Sequence, residues 1–202
     1  MPLKVNPNRM ELLRLRKRLA VARRGHKLLE DKLEGLIQKF MEEVKNYKVL
    51  REEAVNKFLD FINLGAFAYF TIDPYQWDDL LTINDGETIV KEEIIKEMNI
   101  PISKIEILNS YKPNYSLITS SDVLDDLVLL WDDLLNSLIS LANKERELLA
   151  LAEEIEKTKR RVNALEYKLI PQIEETVKFI TTKLEELERA NFTRLLRLKE
   201  IV

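Results

Sequence analysis

Residues 122–198 read DVLDDLVLLWDDLLNSLISLANKERELLALAEEIEKTKRRVNALEYKLIPQIEETVKFITTKLEELERANFTRLLRL, and apolar side chains return along this stretch every three or four positions. One seam holds Leu124, Leu127, Trp131, Leu134, Leu138, Leu141, Leu148, Ala152, Ile155 and Val162, then Leu165, Leu169, Ile173, Val177, Ile180, Leu184, Leu187, Phe192, Leu195 and Leu198. That spacing is the heptad signature of a long helix with one buried edge. Its start is marked by the hydroxyls of Thr119, Ser120 and Ser121, followed by Asp122, Asp125 and Asp126, which the positive end of a helix dipole favours. Pro171 is the single break signal, and with the periodicity intact on both sides it predicts a bend rather than a stop. At ~1.5 Å per residue the arm reaches roughly 120 Å.

The other end of the chain repeats the pattern. Asn6 before Pro7 reads as an N-cap and first helical residue. From there Leu12, Leu15, Leu19, Ala22, Leu29, Leu33, Leu36 and Phe40 form a seam interrupted only at His26. The register slips to Val44 and resumes at Tyr47, Leu50, Ala54, Phe58 and Phe61 or Ile62, as at a stutter. A helix over 7–64 spans roughly 85 Å.

Neither stripe can stay in water, and each is the length and character of the other's partner. We therefore expect an all-α-dominated fold: a long antiparallel two-helix coiled coil of the N- and C-terminal arms (1–64 and 119–202) around a small middle region (65–118) with a β-hairpin and short helices. The strict repeat predicts a left-handed supercoil, unwound locally at 40–44 and 165–173. Both termini should share one tip, with Leu15 level with residues 191–198. Gly25 is a candidate for close approach of the two backbones, or a tolerated helix glycine costing ~1 kcal/mol.

The middle carries turn punctuation at Asp73-Pro74, Asn84-Asp85-Gly86, Asn99-Ile-Pro101 and Lys112-Pro113-Asn114. These turns bracket two β-branched runs, 88–95 and 102–107, which we read as the hairpin. Val90, Ile94 and Met98 also share a helical face, and so short a run leaves periodicity unable to decide between the two.

The inventory argues against most chemistry. With four glycines and no cysteine, the chain has no Gly-rich phosphate loop, thiolate site or disulfide, and it suits a reducing compartment. One histidine rules out a di-iron bundle built on two Glu-x-x-His motifs. His26 itself occupies a seam position, where a polar residue sets register more readily than it binds a metal. The doublets Asp78-Asp79, Asp125-Asp126 and Asp132-Asp133 read as solvated surface, because helix neighbours do not face the same way. We expect no catalytic residue, no metal and no cofactor.

The net charge of −3 conceals a division: +6 over residues 1–60, −10 over 61–143 and +1 over 144–202. The basic arm has almost no aromatic residues among its cations before Phe40, which argues against nucleic acid as a partner. Residues 1–18 hold six cations with no unbroken apolar core after them, so we expect no secretory leader. The most apolar run, 58–72, is broken by Asp60 and Asn63 and is shorter than the ~20 residues of a bilayer crossing, so we expect no direct membrane insertion.

Particular runs flank the seams: Arg9-Met-Glu-Leu-Leu-Arg-Leu, Ala22-Arg-Arg-Gly-His-Lys-Leu-Leu-Glu-Asp-Lys32, Lys157-Thr-Lys-Arg-Arg-Val-Asn-Ala-Leu-Glu166, Leu169-Ile-Pro171, Leu187-Glu-Arg and Phe192-Thr-Arg-Leu. Together they resemble the D subunit of the vacuolar and archaeal type (V-type and A-type) rotary ATPases, the central rotor shaft. The resemblance spans roughly 5–64 and 119–200. It is weaker in the middle, where the family tends to carry Met-Gly-Val before a proline and this chain has Met98-Asn-Ile-Pro101.

The resemblance implies a non-catalytic rotor subunit that carries torque between ATP turnover in a catalytic head and ion movement through a membrane ring. It implies as partners the catalytic and regulatory head subunits around the shaft tip, the F subunit on the middle, and the funnel-shaped subunit that joins the shaft to the ring. It implies a peripheral position on the cytoplasmic side of the membrane. Residues placed for partner contact are Arg9, Arg14, Arg18 and Arg24 on the first arm and Arg160, Arg161, Asn163, Glu166, Arg194 and Arg197 on the second. A solvated helix face is the plain alternative for Arg160, Arg161, Asn163 and Glu166.

Overall fold

The computed structural model describes residues 6–71, 87–110 and 122–201. In chain order these form helix α1 (Arg9–Thr71), strands β1 (Ile89–Glu97) and β2 (Ile100–Asn109), helix α2 (Asp122–Asn163), a π-helical turn (Ala164–Leu169) and helix α3 (Ile170–Ile201). They belong to two compact units, one of Met1–Ile37 with Ile155–Val202 and the other of Gln38–Glu154. The all-α-dominated fold with a small central hairpin is thus the one observed. The short helices expected in the middle, the turns at Asp73-Pro74, Asn84-Asp85-Gly86 and Lys112-Pro113-Asn114, the pair Asp78-Asp79 and the Thr119–Ser121 caps fall outside the described residues.

α1 starts two residues later than Asn6 suggested. Asn8 is the cap: its Oδ1 accepts the Met10 N–H at 3.4 Å and its carbonyl accepts the Leu12 N–H at 3.0 Å. The Asn8 side chain thereby satisfies one of the amides that a helix start leaves unpaired, while its carbonyl takes the first bond of the helix itself. The helix also runs past Leu64 to Thr71. Burial explains the extension, since Ala68 is fully buried beside Leu124, Val123 and Leu127.

In the first unit α1 runs antiparallel to the π turn and α3. Arg9 meets Glu188, and Arg23 meets Glu174 at 2.6 Å, so positions rise on one strand of the pair as they fall on the other. Leu15, Ile173 and Ile180 form the core between them, with Leu12, Leu19, Leu169, Val177 and Leu184 packed around. Each fully buried side chain of this size contributes about 1.5–3 kcal/mol of hydrophobic stabilisation. Leu15 therefore sits level with 173–180 and not with 191–198. The expected register is wrong by several turns.

The second unit has the same antiparallel sense. Ala68 packs on Leu124, a Cβ placed on Gly65 would meet Leu127 Cδ1 at 3.6 Å, and the Phe61 ring lies 5.5 Å from Trp131 at a tilt of 47°. Phe61 rather than Ile62 continues the seam, whereas Phe58 is exposed.

The sequence reading of the second arm was partly displaced. Leu151, Thr158 and Thr176 are buried, while Ala152 lies exposed. Thr176 is accommodated because a helical hydroxyl can bond back along its own helix, here Oγ1 to Gln172 O at 2.6 Å, leaving its methyl to pack, whereas the buried Thr158 Oγ1 has no hydrogen-bond partner among the described residues.

The irregularity expected near Pro171 takes the form of the π turn. The Ile170 N–H bonds to Leu165 O, five residues back. Pro171 has no N–H to offer, and in a regular helix its ring crowds the carbonyl four residues earlier. Widening the preceding turn eases that crowding and adds one residue between Leu165 and Ile173, where the seam spacing slipped.

β1 and β2 pair antiparallel from Glu97↔Ile100 to Ile89↔Asn109, with an irregularity between Ile89 and Val90. The two-residue turn puts Met98 at φ 48° and Asn99 at φ 70°. Positive φ at both central positions is what a type I′ hairpin demands, and asparagine tolerates it. The helical alternative for 88–95 is excluded.

Candidate partner-binding surfaces

The hairpin is held to the helices of its own unit mostly by polar groups. Asn143 on α2 receives the Ile105 N–H and donates to the Ile105 carbonyl, both at 2.8 Å, so its amide stands in for one residue of a neighbouring strand. Arg146 donates to Ser103 Oγ at 2.9 Å, Ser110 donates to Asp132 at 2.6 Å, and Lys39 pairs with Glu97. Ile100 and Ile102 are buried, whereas every residue of β1 is exposed.

Beside this anchor Lys144 lies 2.5 Å from Glu43 Oε2 and 2.8 Å from Glu147 Oε2, with all three side chains at least three-quarters covered. The hydrogen bond from Lys144 holds the Glu43 carboxyl below the usual carboxylate range against the opposing pull of burial. Burial works against the Lys144 ammonium, but its bonds to Glu147 and Glu43 outweigh that and raise it above the usual lysine range. Sequence reading missed this trio because Glu43 sits about a hundred positions from Lys144 and Glu147, on the other helix, and the register between the two helices was unknown.

In the first unit the residues proposed for partner contact are all exposed. Four are engaged: Arg9 across the helix pair with Glu188, and along their own helices Arg14 with Glu11 at 3.3 Å, Arg24 with the Ala20 carbonyl at 3.4 Å, and Arg160 with Glu156. Glu166 lies in the π turn with its Oε2 3.8 Å from His26 Nε2. The side chains of Arg18, Arg161, Asn163, Arg194 and Arg197 have no hydrogen-bond or ion-pair partner among the described residues. No single site gathers the ten; they spread along the helix pair.

The end of α3 is the most distinctive surface. Past Glu188, whose partner Arg9 is the first residue of α1, the helix continues to Ile201. There Phe192, Leu195 and Leu196 are about half or more exposed beside Arg194 and Arg197. Gly25 does not mediate close approach, because a Cβ placed there meets nothing within 4 Å. Among the described residues no group of three or more His, Asp and Glu could hold a metal ion, and no helix is long and apolar enough to cross a membrane.

The family model that describes the D subunit of ATP synthase matches residues 11–200. The chain belongs to the ATP synthase D-subunit family. A V-type ATP synthase D subunit from Thermoanaerobacter sp. (strain X514) is 43% identical over 208 residues, covering 98% of this chain and 96% of the relative. The protein of the same description from Fusobacterium nucleatum subsp. nucleatum is 42% identical over 205 residues, covering 99% and 97%. That from Streptococcus pneumoniae (strain Hungary19A-6) is 36% identical over 200 residues, covering 98% of each. The family match thus runs through both arms and the hairpin, including the middle region where the motif resemblance was weakest.

Proposed function

We propose that this chain is a non-catalytic central-stalk rotor subunit of a V/A-type rotary ATPase, transmitting torque between nucleotide turnover in the head and ion movement through the membrane ring. Its partners in this reading are the alternating catalytic and regulatory head subunits, the F subunit and the funnel-shaped subunit that meets the ring. It works at the cytoplasmic side of the membrane as a peripheral member of the complex, with segments 1–64 and 119–202 as shaft and 65–118 as the region facing the F subunit and the ring.

The observation that carries the reading is the end of α3. A helix that leaves its partner at Glu188 and continues with Phe192, Leu195 and Leu196 uncovered is suited to insertion into a surrounding bearing. Arg194 and Arg197, which have no partners of their own among the described residues, supply charges that meet such a bearing through water rather than through desolvated pairs that would resist sliding. The Leu and Ile seam of the first unit supplies stiffness against twisting.

The test is a covalent brake. In the assembled complex, Arg194→Cys joined by a disulfide to a cysteine on the facing head subunit should stop multi-turnover ATP hydrolysis and coupled ion transport together, and reductant should restore both. A static tether loses nothing when it is linked to a neighbour it never moves against. Normal turnover in a fully cross-linked complex would overturn the rotor assignment.

A further inference from the structure

His26 lies at a seam position of α1 opposite the π turn, its side chain only 19% exposed. Nδ1 is 3.7 Å from Glu30 Oε2, one turn along the same helix, and Nε2 is 3.8 Å from Glu166 Oε2 across the interface. Nε2 is buried and finds no hydrogen-bond partner among the described residues. The nearest other cation along α1 with a partner across the interface, Arg23, is held by Glu174. Glu30 on α1 and Glu166 on the π turn are therefore the charged groups that face the imidazole.

A neutral imidazole carries one N–H and one lone pair, and an ionised carboxylate only accepts. Whichever nitrogen holds the proton, the other then turns a lone pair toward a carboxylate. Protonation turns both nitrogens into donors and gives each carboxylate a cationic partner. We propose that His26, Glu30 and Glu166 form a proton-operated clasp between α1 and the π turn, closed when the imidazole is charged and released when it is neutral. The π turn is the apt place for such a device, since its wider hydrogen-bonding pattern is a local irregularity of a kind often found at functional positions. Imidazole is the side chain that ordinarily changes charge between pH 5 and 8.

The clasp rests on the fold alone, and its failure would leave the rotor reading untouched. The test is hydrogen–deuterium exchange of the full chain, corrected for the intrinsic pH dependence of exchange, read over residues 164–169. Between about pH 5.5 and about pH 8, protection should fall roughly three- to tenfold in the wild type, as partly exposed charge pairs allow. His26→Leu should abolish that fall, and the chain's single histidine leaves no second imidazole to confuse it. Should His26→Leu fail to fold, Glu166→Gln serves instead and should shrink the same pH dependence. Protection that follows one pH course in the wild type and in the folded variant would overturn the proposal.

Discussion

Arg9 and Glu188 form an ion pair between the first residue of α1 and a residue of α3 that still has thirteen helical positions to run. Together with Arg23–Glu174 it sets the antiparallel register of this unit and leaves the last three turns of α3 with no stretch of α1 beside them.

That register makes a direct cross-linking prediction, aided by the absence of native cysteine. With Leu15→Cys as one partner, a disulfide should close within one chain to a cysteine at Ile180, Val177, Thr176 or Ile173, because bridged Cβ atoms must lie about 3.5–4.5 Å apart. Leu15→Cys with Leu195→Cys should remain reduced. Non-reducing electrophoresis at low protein concentration separates the outcomes, and closure at 195 alone would displace the register that Arg9–Glu188 and Arg23–Glu174 define.

The two glycines of α1 in the first unit are a reserve of stability. A Cβ at Gly25 or at Gly35 meets no atom within 4 Å, and both positions are helical. Replacing either by alanine should raise the unfolding free energy by about 0.5–1 kcal/mol in urea titration of the isolated chain, through restricted backbone freedom. The two gains should add, as distant sites do. A loss of stability at either would mean that a neighbour approaches closer than the structure allows.

The Glu43–Lys144–Glu147 trio predicts a pH window for the second unit. Lys144→Met leaves two carboxylates facing each other without their shared cation and should cost about 1–3 kcal/mol at neutral pH. Glu43 is held below its ordinary range, so its contribution is present above about pH 4.3 and fades as the pH falls through the lower, folded value. Lys144 is raised, so its contribution is complete below about pH 10.4 and fades as the pH climbs through the higher, folded value. The stability gap between wild type and variant should accordingly stay level between those limits and narrow beyond each. A gap that persists undiminished into strong acid would show that packing of the lysine stem, not its charge, is what Lys144 contributes.

The helices, their apolar edges and the hairpin were written in the chain itself. Leu12, Leu15, Leu19, Ala22, Leu29, Leu33, Leu36 and Phe40 all prove buried or half-buried, because a heptad repeat declares which face of a helix must leave water. The hairpin was legible through the β-branched runs on either side of Met98 and Asn99. The seam-flanking runs likewise pointed to the family before any coordinate did. What a repeating pattern cannot declare is its own alignment: sliding one seam along the other by seven residues buries nearly the same leucines, so many registers compete within a small energy. Only tertiary structure chose among them, through contacts that do not repeat: Arg9 with Glu188, Arg23 with Glu174, Asn143 on the Ile105 backbone, and the extra residue that the π turn inserts before Pro171. The same choice placed His26 opposite Glu166 and Lys144 against Glu43, because which charges meet across a helix pair depends on the alignment and not on the pattern.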